Sequence, residues 1–223
     1  MSVSHLPKIV GRVRGTDTPN YAENREYEQC HLESNGGSII CDGLPPRTEI
    51  VRLGDSWQTL SATATGLTAV PTTAGLLQIW NGEPSNGKFY AIDSVAVTKV
   101  IIDVTTDDSY ALWCQIIRPP VAAPTDAALA IRSLSGKYSY GGRCRTVATS
   151  ATISNRWDCL GSAPNTAPVI AGSAWACLDV DVLGRYIVAP GASFTVTASE
   201  VTATASTFRF VIRWHEILAS LVQ

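Results

Sequence analysis

The run Thr207-Phe208-Arg209-Phe210-Val211-Ile212-Arg213-Trp214-His215 constrains the fold more than any other stretch. Phe208, Phe210, Ile212 and Trp214 fall on one side of an extended chain, and Arg209, Val211, Arg213 and His215 on the other. A strand sends successive side chains to opposite faces, so the spacing predicts a strand with one strongly apolar face. A helix would scatter the same aromatics around its circumference. Phe208, Phe210, Ile212 and Trp214 are therefore the expected core residues of that strand. Residues 193–199 alternate too, and residues 200–206 are small and polar. The two runs are expected to pair as an antiparallel hairpin. The rest of the chain must complete that sheet and supply a second one to cover its aromatic face.

Further runs of the same kind precede it. Strands are expected over residues 76–80, 89–104, 109–118, 129–134, 143–150, 151–160, 175–180 and 185–188. In the longest, Ile92, Ser94, Ala96, Thr98, Val100 and Ile102 are expected on one face. Ala91, Asp93, Val95, Val97, Lys99, Ile101 and Asp103 are expected on the other. Two Asn-Gly pairs, at Asn81-Gly82 and Asn86-Gly87, mark a turn region. Pro119-Pro120 closes a strand, and Pro190-Gly191 turns into the final pair. Thr and Val are frequent while the helix formers Glu and Lys are few. With no alternation of strand and helix, the expected fold is all-β: an antiparallel sandwich of about eight strands.

Residues 1–65 differ. They hold His5 and His31, a charged cluster at residues 22–28 and turn signals at residues 34–38 and 42–46. Two readings stand: an extended arm with little regular structure, or strands that belong to the sandwich. The domain division that follows is 1–65 as arm and 66–223 as sandwich.

The formal net charge of −2 suggests no nucleic-acid surface. No run approaches the roughly 20 apolar residues that a membrane-crossing helix needs. The first residues lack the pattern of a secretory leader, which points to synthesis in a cytosol and to six reduced cysteines. Cys30, His31 and Cys41 lack the close pair and fourth ligand of a zinc site. Asp103, Asp107, Asp108 and Asp126 lack the spacing of a calcium loop and read as solvated turn acids. His215 and Glu216 are neighbours on a strand and point to opposite faces, a poor acid–base pair. No hydrolase or phosphate-loop motif is present. The sequence thus points to no catalytic, cofactor or metal residues. Of the tryptophans, Trp80, Trp113, Trp175 and Trp214 read as core, with Trp57 and Trp157 left as surface candidates.

Leu76-Leu77-Gln78-Ile79-Trp80-Asn81, followed by Asn86-Gly87-Lys88-Phe89-Tyr90, resembles a pattern of tailed-bacteriophage structural proteins. In that pattern a Leu-x-Leu-Trp-Asn strand precedes Asn-Gly or Gly-Gly-Lys and an aromatic. Residues 188–193 and Arg213-Trp214-His215-Glu216 resemble the same group, so the likeness spans residues 76–216. The resemblance implies a jelly-roll sandwich like that of tumour necrosis factor, assembled as a trimer on the virion. It implies a capsid decoration or cement protein whose arm contacts the major capsid protein or other virion subunits. A low charged fraction, 16%, suits subunit contacts. The apolar end, with Ile217, Leu218, Leu221 and Val222, is the expected oligomer interface. Two alternatives stand beside this reading. One is a tail or fibre module binding a host glycan, for which exposed aromatics around residues 136–142 would speak. The other is a β-sandwich hydrolase.

Overall fold

The computed structural model describes residue 51, residues 54–72, 75–101, 109–148, 156–164, 177–200 and 206–218, and four short strands before them. The chain divides into a unit of residues 1–49 and one of residues 50–223. In the first, β1 (Val10–Arg12) pairs antiparallel with β2 (Tyr27–Gln29), and β3 (His31–Leu32) with β4 (Ser38–Ile39).

The second unit begins with β5 (Ser56–Leu60), β6 (Ala64–Thr65), β7 (Leu77–Asn81), β8 (Phe89–Ile101) and β9 (Ser109–Ile117). It continues with β10 (Ile131–Ser133), β11 (Cys144–Val147), β12 (Asp158–Pro164) and β13 (Cys177–Asp181). It closes with β14 (Ile187–Val188), β15 (Ser193–Glu200) and β16 (Thr207–Ile217). One sheet has the order β10-β5-β16-β8-β13, with β6 on β16 and β14 on β8. The other has the order β11-β7-β15-β9-β12. All these ladders are antiparallel.

The fold is an all-β antiparallel sandwich with jelly-roll order. Eight strands, β5, β7, β8, β9, β12, β13, β15 and β16, are shared between the sheets, and successive ones change sheet except β9 and β12, which pair. Counted in chain order, the sheets run first-eighth-third-sixth and second-seventh-fourth-fifth, the interleaving of two Greek keys. The connection from β9 to β12 is the departure. It crosses to the far side and adds β10 to the edge of one sheet and β11 to the edge of the other.

Three expectations about the strands need correction. The final two strands form no hairpin: β15 pairs with β7 and β9, β16 with β5 and β8. Alternation fixes which face a residue takes, not which strand lies beside it. The sandwich also starts before residue 66, because β5 pairs with β16 along residues 56–60 and the unit begins at Ile50.

The third correction lies in β8. Arg213 is opposite Ser94 but Trp214 is opposite Ile92, so Asp93 is an extra residue in a bulge. On the other side β13 ends opposite Ser94 and β14 resumes opposite Ala91. The amides of Val182 and Leu183 both donate to the Asp93 carbonyl, at 2.8 and 3.0 Å. A bulge breaks the period of two. Ile92 and Val95 therefore both lie in the buried core, and the expected grouping of Ile92 with Ser94 and Ala96 fails. Between β13 and β14 the chain turns tightly at residues 182–185, with Leu183 at φ 51° and Gly184 at φ 73°.

The core fills the space between the sheets. Phe208, Phe210, Ile212 and Trp214 are fully buried there, with Leu77, Ile79, Val95, Val97, Phe194 and Val196. Trp57 is core as well, 6% exposed, not a surface tryptophan. Gly66 lets the chain pass over Phe208, whose ring occupies the space that a Cβ would take. At that end of the core an ion pair is sealed in: Lys99 Nζ lies 2.7 Å from Glu200 Oε1.

Candidate functional site

A cleft of about 560 Å³ opens beside β5 and β10, lined in part by Gln58, Leu129, Ile131, Arg132, Tyr138 and Tyr140. The loop between β10 and β11 builds its wall. Gly136, at φ 67°, turns that loop back on itself, and its amide donates to Ser133 O at 3.1 Å. Tyr138 stands out, 41% exposed, with the Lys137 ammonium 5.2 Å from its ring centroid. The Arg132 side chain is exposed and has no hydrogen-bond partner among the described residues.

Tyr140 anchors the loop to the sandwich. Its ring meets Trp57 edge-on at 4.8 Å. Its hydroxyl donates to Glu216 Oε1 at 3.0 Å and accepts from the Cys144 amide at 2.9 Å. The Tyr90 hydroxyl lies 3.4 Å away. Lys88 Nζ reaches the other Glu216 oxygen at 2.6 Å, and the Glu216 side chain is only 4% exposed. Burial pushes the Tyr140 and Tyr90 phenols and the Cys144 thiol well above their ordinary range. The hydrogen bond that Lys88 donates to Glu216 raises Lys88 as well. All three buried acids hold their protons at neutral pH, and the hydrogen bonds among them fix the geometry of the cluster. Asn81 braces the adjoining turn region. Its Nδ2 donates to Lys88 O and Val188 O, both at 2.9 Å, and its Oδ1 accepts from the Glu83 amide at 3.0 Å.

A second polar group lies on the outer face of the β16 sheet. His215 Nδ1 is 2.9 Å from Asp93 Oδ1, the bulged residue. Arg213 Nη1 donates to Asp179 Oδ2 and to Ser94 Oγ, each at 2.9 Å. A histidine held by a carboxylate is the orienting half of a nucleophilic triad. The other half is missing from this arrangement. Ser94 Oγ is taken by Arg213, and Ser56, the ladder partner of His215, makes no hydrogen bond to it. His215 and Glu216 serve separate clusters on opposite sides of the strand.

The remaining sequence candidates are distributed as follows. Ile217 ends β16, and Leu218 just beyond it is 55% exposed. Leu221 and Val222 lie outside the described residues, as do Cys30, Cys41, Asp103, Asp107, Asp108 and Trp175. Asp126 is exposed in the β9–β10 connection. Cys114, Cys144, Cys159 and Cys177 are free thiols. Trp80 and Trp113 are half-buried rather than core, with indole N–H groups donating to Val121 O at 3.0 Å and Ser199 Oγ at 2.8 Å. Among the described residues no three metal-binding side chains gather. The Glu216–Tyr140–Lys88 cluster joins residues far apart in sequence, and no local spacing signals it. The aromatics around residues 136–142 are the sign of the cleft wall that the sequence offers.

No family model and no curated protein matches the chain. Among solved structures, the structure of a marine algae virus of the order Picornavirales overlaps it at 12% identity and TM-score 0.27, covering 98% of this chain and 91% of that one. A cryo-electron-microscopy structure of mud crab dicistrovirus overlaps at 10% identity and TM-score 0.22, covering 97% and 86%. At such scores the overlaps carry no argument, and the fold rests on the strand order itself.

Proposed function

We propose that this chain is a structural protein of a virus particle: a decoration or cement protein of a tailed-bacteriophage head. In this reading residues 50–223 associate as a trimer and the preceding residues grip neighbouring capsid subunits. The jelly-roll strand order is the observation that carries the reading. That fold is a common building block of virus shells, although lectins use it too. The polar clusters point the same way, since Glu216, Tyr140 and Lys88 brace the sandwich and His215 has no aligned nucleophile. Low charge and the exposed Leu218 suit subunit contact.

The test is a deletion. Because the sandwich unit starts at Ile50, a chain lacking residues 1–49 should fold and associate as the full chain does, yet fail to co-sediment with particles. Undiminished particle binding by the deleted chain would refute the docking role. A glycan-binding fibre module is the second reading, favoured by Tyr138 standing exposed at the cleft. For that reading, the full chain should bind host surface polysaccharide and Tyr138→Ala should not.

A further inference from the structure

We propose that copies of this chain meet head to tail, the Leu183 turn of one seated in the Tyr138 cleft of the next. This deepens the assembly reading above and rests on it.

The turn is the first observation. Arg185 N donates to Val182 O at 3.0 Å across Leu183 and Gly184, both left-handed, which is the geometry of a type I′ turn. Asn, Asp or Gly is favoured at the first of those positions, because a larger side chain is strained there. Leu183 bears that strain and gains little packing within its own sandwich, being 71% exposed. Ile187, at the end of the same turn region, is 40% exposed and extends the apolar surface. A strained residue is a pointer to function when its surroundings do not account for it.

The cleft is the second observation. It lies by β10, at one edge of the sheet, while the Leu183 turn lies between β13 and β14 at the other. Leu129, Ile131 and the two tyrosine rings give it an apolar wall beside the polar Gln58, Arg132 and Ser133, and its volume of about 560 Å³ admits a leucine.

Charge is the third. Residues 118–148, around the cleft, carry Arg118, Arg132, Lys137, Arg143 and Arg145 against Asp126 alone. Residues 158–188, around the turn, carry Asp158, Asp179 and Asp181 against Arg185. Asp179 is already engaged by Arg213, so the attraction is one of whole edges rather than of a single new pair. Unlike surfaces on opposite edges give a heterologous contact, which closes into a ring when the rotation between copies allows it.

Sedimentation velocity on the full chain across a concentration series tests this, with Leu183→Asn, Tyr138→Ala and Arg132→Glu beside it. Asn tolerates the left-handed turn, so Leu183→Asn should melt no lower than the native chain while associating about ten- to a hundredfold more weakly. Arg132→Glu should weaken association most at low salt. If Leu183→Asn lowers the melting temperature, Tyr138→Ala tests the same contact from the cleft side. A native chain that associates, with all three variants unchanged, overturns the Leu183 contact and leaves the assembly reading standing. A native chain that stays monomeric removes the self-association on which both depend. If in that case Tyr138→Ala also loses particle binding, the cleft's occupant is another virion subunit and the present assignment is wrong.

Discussion

Two lysines stand at opposite ends of β8, and each meets a glutamate. Lys99 and Glu200 are sealed between the sheets, their side chains 1% and 2% exposed. Lys88 is 41% exposed, and its partner Glu216 is held by Tyr140 as well. The pairs look alike on paper and differ in medium. Burying an ion costs several kcal/mol, and a partner offsets that only while both are present. At the Lys88 end, water reaches the lysine and Tyr140 still holds the buried glutamate, so the loss of the pair is cushioned. The same residue types thus make a brittle contact at one end of the strand and a forgiving one at the other.

The sharpest way to break this comparison is Lys99→Met. It should cost about 3–5 kcal/mol in urea unfolding, because Glu200 is left unpaired in the core. Adding Glu200→Leu should recover most of that loss. A single variant within about 1 kcal/mol of the native chain would show that the Lys99 end is open to water.

An intermediate effect belongs to the Lys88 end at alkaline pH. The Tyr90 and Tyr140 phenols and the Cys144 thiol keep their protons in the fold beyond the values of about 10 and 9 that hold in the unfolded chain. The unfolded state sheds those protons first. Stability is therefore full below about pH 9 and falls above it, by up to about 1.4 kcal/mol per pH unit for each group. Cys114, which burial raises to about 12, adds to the same decline. Melting temperatures from pH 7 to 11 should show it, with a shallower slope in a Tyr140→Phe, Cys144→Ala variant. A flat profile to pH 11 would sink the account.

The smallest effect completes the contrast. Lys88→Met should cost clearly less than Lys99→Met, since Lys88 itself is 41% exposed and Tyr140 still donates to the buried Glu216. A cost matching that of Lys99→Met would erase the distinction between the two ends.

Much of this fold was legible one strand at a time. The alternation of residues 207–215 names the buried face of β16, and that of residues 91–103 puts Val95, Val97 and Lys99 on one face. Pro190-Gly191 marked a real turn, with Gly191 at φ 75°. Partners were not legible, because β15 presents the same pattern whether it pairs with β16 or faces it across the core. The Asp93 bulge was hidden for a related reason: it is an agreement between β16 and the β13–β14 edge, and nothing near Asp93 announces it. Trp57 sits in a short strand followed by small and polar residues, so its burial beside Tyr140 needed the fold to be seen. The cleft and the Glu216 cluster join residues 58, 88, 140 and 216, and such convergence leaves no mark on local spacing.

The place of β16 in the sheet order has a consequence for how the chain is made. β5 and β8 belong to one sheet, yet they are joined only through β16, whose ladder with β5 links residues about 150 positions apart. Synthesis runs from the N-terminus, so the apolar face bearing Ile92, Val95 and Val97 leaves the ribosome long before Phe210 and Trp214 exist to complete it. Closing so long a loop is slow, and high contact order lowers the folding rate. The nascent chain must therefore carry unpaired, apolar strand edges until residue 217 has been added. During that interval the unpaired edges and apolar face are open to association with other chains, whatever the stability of the finished sandwich.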